Sequence, residues 1–140
     1  MTPEKTAGID YGTRRIGIAV SDGLGITAQP LEQIEVNGFE DGVAKVSRIL
    51  KNSGVTKAVF GLPMNMNGSE GEMAEEVKRF ASKVNEECGI AVEFFDERLS
   101  SMQAESALNQ AGYSKKKKRQ KLDVVSAQIM LQSYMDCMKK

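Results

Sequence analysis

The first third of the chain alternates apolar and polar residues with a period of two, the pattern of strands that bury one face. Three extended segments separated by short turns are predicted, over residues 5–11, 16–21 and 26–36. Short connections favour antiparallel pairing, so the chain is expected to open with a meander. Pro30 lacks the backbone N–H that a central strand donates, which predicts an edge position for the third segment or a break before Leu31.

After residue 38 the apolar spacing changes to that of amphipathic helices, with short β-branched runs between them. Helices are predicted over 39–54, 72–89, 100–112 and 122–140, strands over 55–62 and 90–95, and loops over 63–71 and 113–121. The apolar stripe of the second of these helices is Met73, Val77, Phe80 and Val84. Gly54 and Gly89 are expected as helix C-caps. This order predicts an α/β fold, a mixed sheet with helices on its faces, in a single domain over residues 1–140.

The composition removes several kinds of chemistry. The chain of 140 residues contains no histidine, which excludes a Ser-His-Asp triad, a histidine general base and the usual histidine-containing zinc sites. Its two cysteines, Cys88 and Cys137, form no metal-ligand pattern and are expected as reduced thiols of a cytoplasmic protein. No apolar run approaches the ~20 residues of a membrane helix, and the N-terminus has no apolar signal segment, so no membrane partner is expected.

Four carboxylates lie where a mixed sheet would place a site. Asp10 is near the end of the first predicted strand, Asp96 and Glu97 follow the last one, and Asp123 falls in the first turn of the predicted last helix. Sites in α/β sheets form at the carboxyl ends of parallel strands, so adjacency of strands one, four and five would bring these acids together. Each acid also has an ordinary explanation: a turn hydrogen bond for Asp10, the helix dipole for Asp123, and solvation or pairing with the following arginine for the other two.

A converging group of carboxylates would need a compensating charge. Two carboxylates about 4 Å apart repel by roughly 4 kcal/mol at an effective dielectric constant of 20. Such a group must take up protons or be neutralised by a cation, and oxygen ligation without His or Cys suits Mg²⁺ or Mn²⁺. We therefore expect a divalent metal ion to compensate Asp10.

The turn "GTRR" suits contact with a phosphate. Gly12 permits a tight turn, and Thr13, Arg14 and exposed backbone N–H groups could surround an anion. A plain hairpin turn with solvated arginines is the alternative.

The loop at 63–71 is polar and precedes a helix. Its Asn65 and Asn67, with the helix N-terminus, could contact a nucleic-acid backbone. The alternative is purely structural, with Ser69 as the N-cap and Glu72 completing a capping box.

The end of the chain reverses the charge balance. Residues 1–110 carry 11 Lys/Arg and 17 Asp/Glu, whereas residues 111–140 carry 8 Lys/Arg and 2 Asp/Glu. Six of those cations form one run: Lys115, Lys116, Lys117, Lys118, Arg119 and Lys121. We expect this run to be a mobile, exposed loop that attracts nucleic-acid phosphates without reading sequence, a solvated connector being the alternative.

Four segments resemble the YqgF/RuvX family: "GIDYGTRRIGIAVSD", "VFGLPMNMNGSEGEMAEEVKRFA", "FFDERLSSMQAESAL" and "KLDVVSAQIMLQSYM". Members of that family are described as pre-16S ribosomal RNA nucleases and as Holliday junction resolvases. The resemblance implies a ribonuclease H-like fold, with a five-stranded mixed sheet and helices on both faces, and cytoplasmic ribosome biogenesis. It assigns the catalytic and metal-binding site to Asp10, Glu97 and Asp123, with Asp96 as the substitute for Glu97.

Three functions follow from these observations. The first is a Mg²⁺- or Mn²⁺-dependent hydrolase of phosphodiester bonds that processes the 5′ end of pre-16S ribosomal RNA or cleaves branched DNA, with Arg14, Arg98 and the lysine run positioning the backbone. The second is an RNA-binding ribosome-assembly factor without cleavage, since fold does not fix function. The third, an actin-like ATPase, is disfavoured because 140 residues leave no room for a second lobe. A monomer or weak homodimer is expected.

Overall fold

A computed structural model of the chain describes residues 5–22, 26–65, 67–99 and 115–138, and the side chains of its last helix from residue 126 onward. In chain order its elements are β1 (Thr6–Asp10), β2 (Arg15–Ser21), β3 (Ala28–Glu35), α1 (Phe39–Ser53), β4 (Lys57–Leu62), α2 (Glu72–Cys88), β5 (Ala91–Asp96), a 3₁₀ turn (Glu97–Leu99) and α3 (Lys115–Cys137). The helix predicted over 100–112 lies outside the described residues.

The five strands form one mixed sheet in the order β3-β2-β1-β4-β5. β1 pairs antiparallel with β2 and parallel with β4, and β4 pairs parallel with β5. The predicted adjacency of strands one, four and five is therefore confirmed. Pro30 lies in the edge strand β3, as predicted. It pairs with Ala19 of β2, and the β2–β3 register shifts between Ile18 and Ala19.

Helices α1 and α2 cover one face of the sheet with the larger of two apolar clusters. Phe80 of α2 is fully buried at its centre, with its ring 6.1 Å from that of Phe60 and 5.6 Å from that of Phe39. Gly54 and Gly89 end these helices in the left-handed conformation, as predicted. The predicted stripe of α2 was wrong at Met73, which is 41% exposed because the smaller Ala74 faces the core in the first turn.

Helix α3 covers the opposite face, and a glycine in β1 lets it come close. A Cβ at Gly8 would lie 2.8 Å from Leu131 Cβ and 3.2 Å from the Ala127 carbonyl oxygen. Gln132 also accepts a hydrogen bond from the Ala28 N–H at 2.8 Å, and Gln128 donates one to the Ala28 carbonyl at 3.1 Å. These contacts fix how α3 sits on β1 and β3.

The lysine run is helical, so the predicted loop over 115–121 was wrong. Lysine, arginine and glutamine are good helix formers, and no Gly or Pro interrupts the sequence from Lys115 to Cys137. Helix propensity therefore outweighs the like-charge repulsion that favoured a loop. The earlier helix start also corrects the position of Asp123, which falls in the third turn of α3 and not in the first.

None of the helices in the described residues is long and apolar enough to span a membrane.

Replacing Gly8 with alanine should lower the free energy of unfolding by about 1–3 kcal/mol, because α3 would have to move away from β1. Urea denaturation followed by circular dichroism measures this change. An alanine that fitted freely would instead stabilise the strand by about 0.5–1 kcal/mol relative to glycine. A gain in stability would therefore contradict the close approach of α3 to Gly8.

Candidate active site

Asp10 is the last residue of β1 and is half-buried. The register pair Ile9–Phe60 ends the described pairing of β1 with β4, so Asp10 and Gly61 lie one step further, beside each other. Side chains alternate along a strand, which places Asp10 on the same face as Gly8, the face that α3 covers. This carboxylate therefore lies at the carboxyl edge of the sheet, on the α3 side.

Glu97 lies at the same carboxyl ends of the parallel strands, because it directly follows β5. Its side chain lies in the 3₁₀ turn and extends across Gly61 of β4, the strand between β1 and β5. A Cβ at Gly61 would be only 2.6 Å from Glu97 Oε1 and 2.8 Å from Glu97 Cγ. Alternation along β4 puts this contact on the face of Val59, which packs in the α3-side cluster. The missing side chain of Gly61 thus gives Glu97 room on the face and edge where Asp10 lies.

The backbone of α3 brings position 123 toward this edge. Asp123 is one helical turn before Ala127, which packs against Gly8, so both positions share the sheet-facing side of the helix. The opposite end of α3 lies at the start of β4, where Lys57 Nζ is 5.2 Å from the centre of the Tyr134 ring. The helix therefore runs from the carboxyl edge toward the amino ends of β4 and β5, and the side chain of Asp123 is outside the described residues.

Asp96 is held by its neighbour Arg98. The Arg98 side chain donates to Asp96 Oδ1 and Oδ2 from Nε at 3.1 and 3.0 Å, and to Oδ2 from Nη2 at 2.6 Å. These bonds lower the pKa of Asp96 below its ordinary value, aided by the Arg98 backbone N–H and charge and opposed by partial burial. The sequence left open whether Asp96 pairs with the following arginine, and in the structure it does. Of the two adjacent acids, the one directed over Gly61 is Glu97.

The loop between β4 and α2 is folded by its own polar side chains. Asn67 Oδ1 accepts hydrogen bonds from the Ser69 backbone N–H at 3.0 Å and the Ser69 hydroxyl at 2.6 Å. Asn65 Nδ2 donates to the same hydroxyl at 3.0 Å, and Arg98 Nη1 donates to the Asn65 carbonyl at 3.4 Å. Because these contacts occupy the serine, the predicted Ser69 cap was wrong: Gly71 is the N-cap of α2, without a side-chain bond.

The turn after Asp10 is tight and leaves its polar residues exposed. A Cβ at Gly12 would lie 2.4 Å from the Arg15 carbonyl oxygen, so only glycine fits there. Thr13 and Arg14 are exposed. A surface cavity of about 430 Å³ opens beside the turn and is lined by Arg14, Arg15, Glu35, Val36 and Asn37. The turn thus presents cations at the same edge of the sheet as Asp10.

Sequence reasoning missed two contacts made by residues next to Asp10 and Glu97. Gly61 interrupts the apolar run "VFGL", a signal of close approach that was available but had no partner assigned to it. Tyr11 was taken only as the end of a strand, although its hydroxyl donates to Glu76 of α2. Within the residues that the structure describes, no three His, Cys, Asp or Glu side chains form a metal-binding group. Of the three predicted ligands Asp10, Glu97 and Asp123, the structure describes the side chains of Asp10 and Glu97.

Comparison with known proteins identifies close relatives. The family model for RuvX, described as Holliday junction resolvase, matches residues 4–137. A Geobacillus kaustophilus protein named "Putative pre-16S rRNA nuclease" is 45% identical over 94% of this chain and 97% of its own length. A Myxococcus xanthus protein of the same name is 41% identical over 94% of this chain and 87% of its own.

Two solved resolvases share the fold. Thermus thermophilus RuvC, in complex with a Holliday junction, superposes with a TM-score of 0.57 at 19% identity, over 96% of this chain and 95% of its own. The fowlpox virus resolvase, also with junction DNA, superposes with a TM-score of 0.62 at 13% identity, over 97% and 99%. The predicted ribonuclease H-like fold is confirmed.

Replacing Arg98 with methionine should raise the pKa of Asp96 toward the ordinary value of about 3.9, because the hydrogen bonds to its ionised form are lost. NMR titration of the side-chain carboxyl carbons measures it. Since the lowered pKa belongs to the folded state, the pair stabilises the protein above the ordinary carboxyl pKa and loses that effect as the pH falls.

The control for this titration is Asp41, whose pKa is lowered by the Asn37 backbone N–H and then by Lys45, far from Arg98 in the sequence. It should titrate alike in both proteins. An Asp96 midpoint that does not move would show that Arg98 leaves this carboxylate unpaired in solution.

Proposed function

Because this chain belongs to the RuvX family, we propose that it is a nuclease that hydrolyses phosphodiester bonds in structured RNA, with pre-16S ribosomal RNA as its substrate, in ribosome biogenesis in the cytoplasm. The observation that supports this most directly is the placement of Asp10 and Glu97 at one edge and one face of the sheet, made possible by Gly61. Nearby carboxylates at the ends of parallel strands are an arrangement that phosphoryl chemistry can use.

The side chains proposed for this site are of the kind that binds a divalent cation. The donors are carboxylate oxygens, which suit Mg²⁺ or Mn²⁺, and Glu97 can occupy the space above Gly61 only because that residue has no Cβ. Asp10, Glu97 and Asp123 would hold the ion, and Asp96 is a poorer candidate because Arg98 already binds it. When bound, the ion would activate a water molecule and stabilise charge on the phosphate.

The protein's own residues would bind and orient the substrate. Thr13 and Arg14 on one side of Asp10, and Arg98 on the other, place polar groups along the same edge. Asn65 and Asn67 are exposed while they fold their loop, so they can still contact a backbone. The cations at the start of α3 would add attraction that falls as salt rises; they are Lys115, Lys116, Lys117, Lys118, Arg119 and Lys121.

Branched DNA is the second candidate substrate, and the description of the matching family favours it. A single assay separates the candidates: pure protein with a pre-16S ribosomal RNA fragment, an unrelated structured RNA and a four-way DNA junction, each with Mg²⁺, Mn²⁺ or EDTA. Metal-dependent cleavage of the RNA fragment supports the proposal, and cleavage of the junction alone supports a resolvase. Binding without cleavage of any of them would support an assembly factor and contradict the nuclease.

Asp10→Asn and Glu97→Gln should each reduce metal-dependent cleavage by more than about 100-fold, since removing a ligand costs at least as much as losing an outer partner. Substrate affinity, measured by gel shift, should change little because the phosphate-contacting cations remain. Asp96→Asn is the matched control and should cause a smaller loss. Equal or greater loss in the Asp96 variant would transfer the proposed ligand role from Glu97 to Asp96.

Gly61→Ala should reduce cleavage by about 10–100-fold while leaving the urea midpoint nearly unchanged. Its new Cβ meets only side-chain atoms of Glu97 among its three nearest neighbours, from Cγ to Oε1, so the carboxylate is displaced and the strand is not. In the Glu97→Gln background the same change should cause little further loss, because both act through one side chain. Full additivity of the two losses would mean that Gly61 acts independently of Glu97.

A further inference from the structure

Tyr11 follows Asp10 directly but faces the other side of the sheet. Its ring lies 4.6 Å from that of Phe80, within the cluster under α1 and α2. Its hydroxyl donates a hydrogen bond of 2.5 Å to Glu76 Oε2. Glu76 and Phe80 are one helical turn apart, so both contacts of Tyr11 are made with one side of α2.

The hydroxyl of Tyr11 acts as a hydrogen-bond donor to the Glu76 carboxylate. Burial raises its pKa above the ordinary value, and the hydrogen bond and charge of Glu76 raise it further, against a smaller opposing effect of Arg79. In the hydrogen bond with the Glu76 carboxylate the phenol is the donor. A protonated hydroxyl that points away from the α3 side is not placed to attack a phosphate or to bind a cation there.

Helix α2 carries the polar loop that lies at the same edge as Asp10. It begins at Glu72, directly after that loop. Lys78 of the helix pairs with Glu70 of the loop at 2.6 Å, and Arg98 reaches the Asn65 carbonyl on the loop's other side. Tyr11 is thus the side chain that ties the end of β1 to the helix behind the loop.

We propose that Tyr11 is a positioning residue: its hydrogen bond to Glu76 fixes the end of β1, and with it the Asp10 carboxylate, relative to α2 and the loop. This inference rests on the proposed nuclease function. At Asp10 the strand still pairs with Gly17 of β2, but its described pairing with β4 stops at Ile9, so the contact of the next residue with α2 adds a second constraint on this strand end. Losing an outer contact of this kind typically costs 10–100-fold in metal affinity or activity.

The test compares two tyrosines that each donate to a glutamate. Tyr11→Phe keeps the ring on Phe80 and removes the hydroxyl. Tyr134→Phe is the matched control, because Tyr134 donates to Glu93 at the opposite end of the sheet. Both variants lose one side-chain hydrogen bond, so both should lose similar stability in urea. For each protein we would measure kcat and KM on the RNA fragment, and Mn²⁺ affinity by electron paramagnetic resonance.

Tyr11→Phe should lower kcat by about 10-fold or more and weaken Mn²⁺ binding, with KM nearly unchanged, whereas Tyr134→Phe should leave all three at wild-type values. Glu76→Ala should reproduce Tyr11→Phe, and Glu76→Gln, whose amide oxygen still accepts the bond, should restore most of kcat. Should Tyr11→Phe fold poorly, the two Glu76 variants make the same comparison.

If Tyr11→Phe and Glu76→Ala match the wild-type protein in kcat and Mn²⁺ affinity, or if Tyr134→Phe loses as much, the inference is wrong. A wild-type protein that cleaves no substrate would overturn the proposed function instead. In that case the Mn²⁺ affinity of Tyr11→Phe against that of Tyr134→Phe still decides the role of Tyr11, and equal affinities would refute it.

Discussion

The site depends on one missing side chain. Gly61 lies in β4, between β1 and β5, and Glu97 can lie across it only because Gly61 has no Cβ, which would be 2.6 Å from the Glu97 carboxylate oxygen. With any larger residue there, the acid that follows β5 would be pushed away from the end of β1. The parallel strands place Asp10 and Glu97 at the same end of the sheet, and the absence of a side chain at Gly61 lets Glu97 lie on the face where Asp10 is found.

The two faces of the sheet are specialised. The α1 and α2 side is filled by large side chains around Phe80, whereas the α3 side uses small residues such as Gly8, Ala19 and Ala28. Small residues let α3 approach closely enough to bring the turn before Ala127 to the carboxyl edge. The candidate chemistry therefore lies on the α3 side, and Asp10 and Tyr11 are neighbours that face opposite sides of the sheet.

Sequence patterns predicted what depends on local periodicity. The strands, the edge position of Pro30 and the caps at Gly54 and Gly89 follow from rules that act within a few residues, and all were confirmed. The predicted start of α3 was wrong. The prediction relied on like-charge repulsion, which favours a loop, and gave no weight to the helix propensity of lysine, arginine and glutamine.

Features that depend on distant contacts were out of reach of the sequence. The alternation of side chains along a strand ends with β5, so this pattern does not decide whether Asp96 or Glu97 points toward β4. In the structure Asp96 pairs with Arg98, and Glu97 lies over Gly61. The bond between Tyr11 and Glu76 joins residues 65 positions apart, and no local pattern marks it. Asp123 stays a prediction, supported by its place on the sheet-facing side of α3.

The central claim is that Asp10 and Glu97 bind one divalent cation at the carboxyl edge of the sheet. The most direct test is an anomalous difference map from crystals soaked in Mn²⁺ and measured at the manganese absorption edge. The account predicts a single strong peak within coordination distance of both carboxylates, which disappears in Gly61→Ala crystals soaked in the same way. Ordered Asp10 and Glu97 side chains with the manganese bound elsewhere would contradict it.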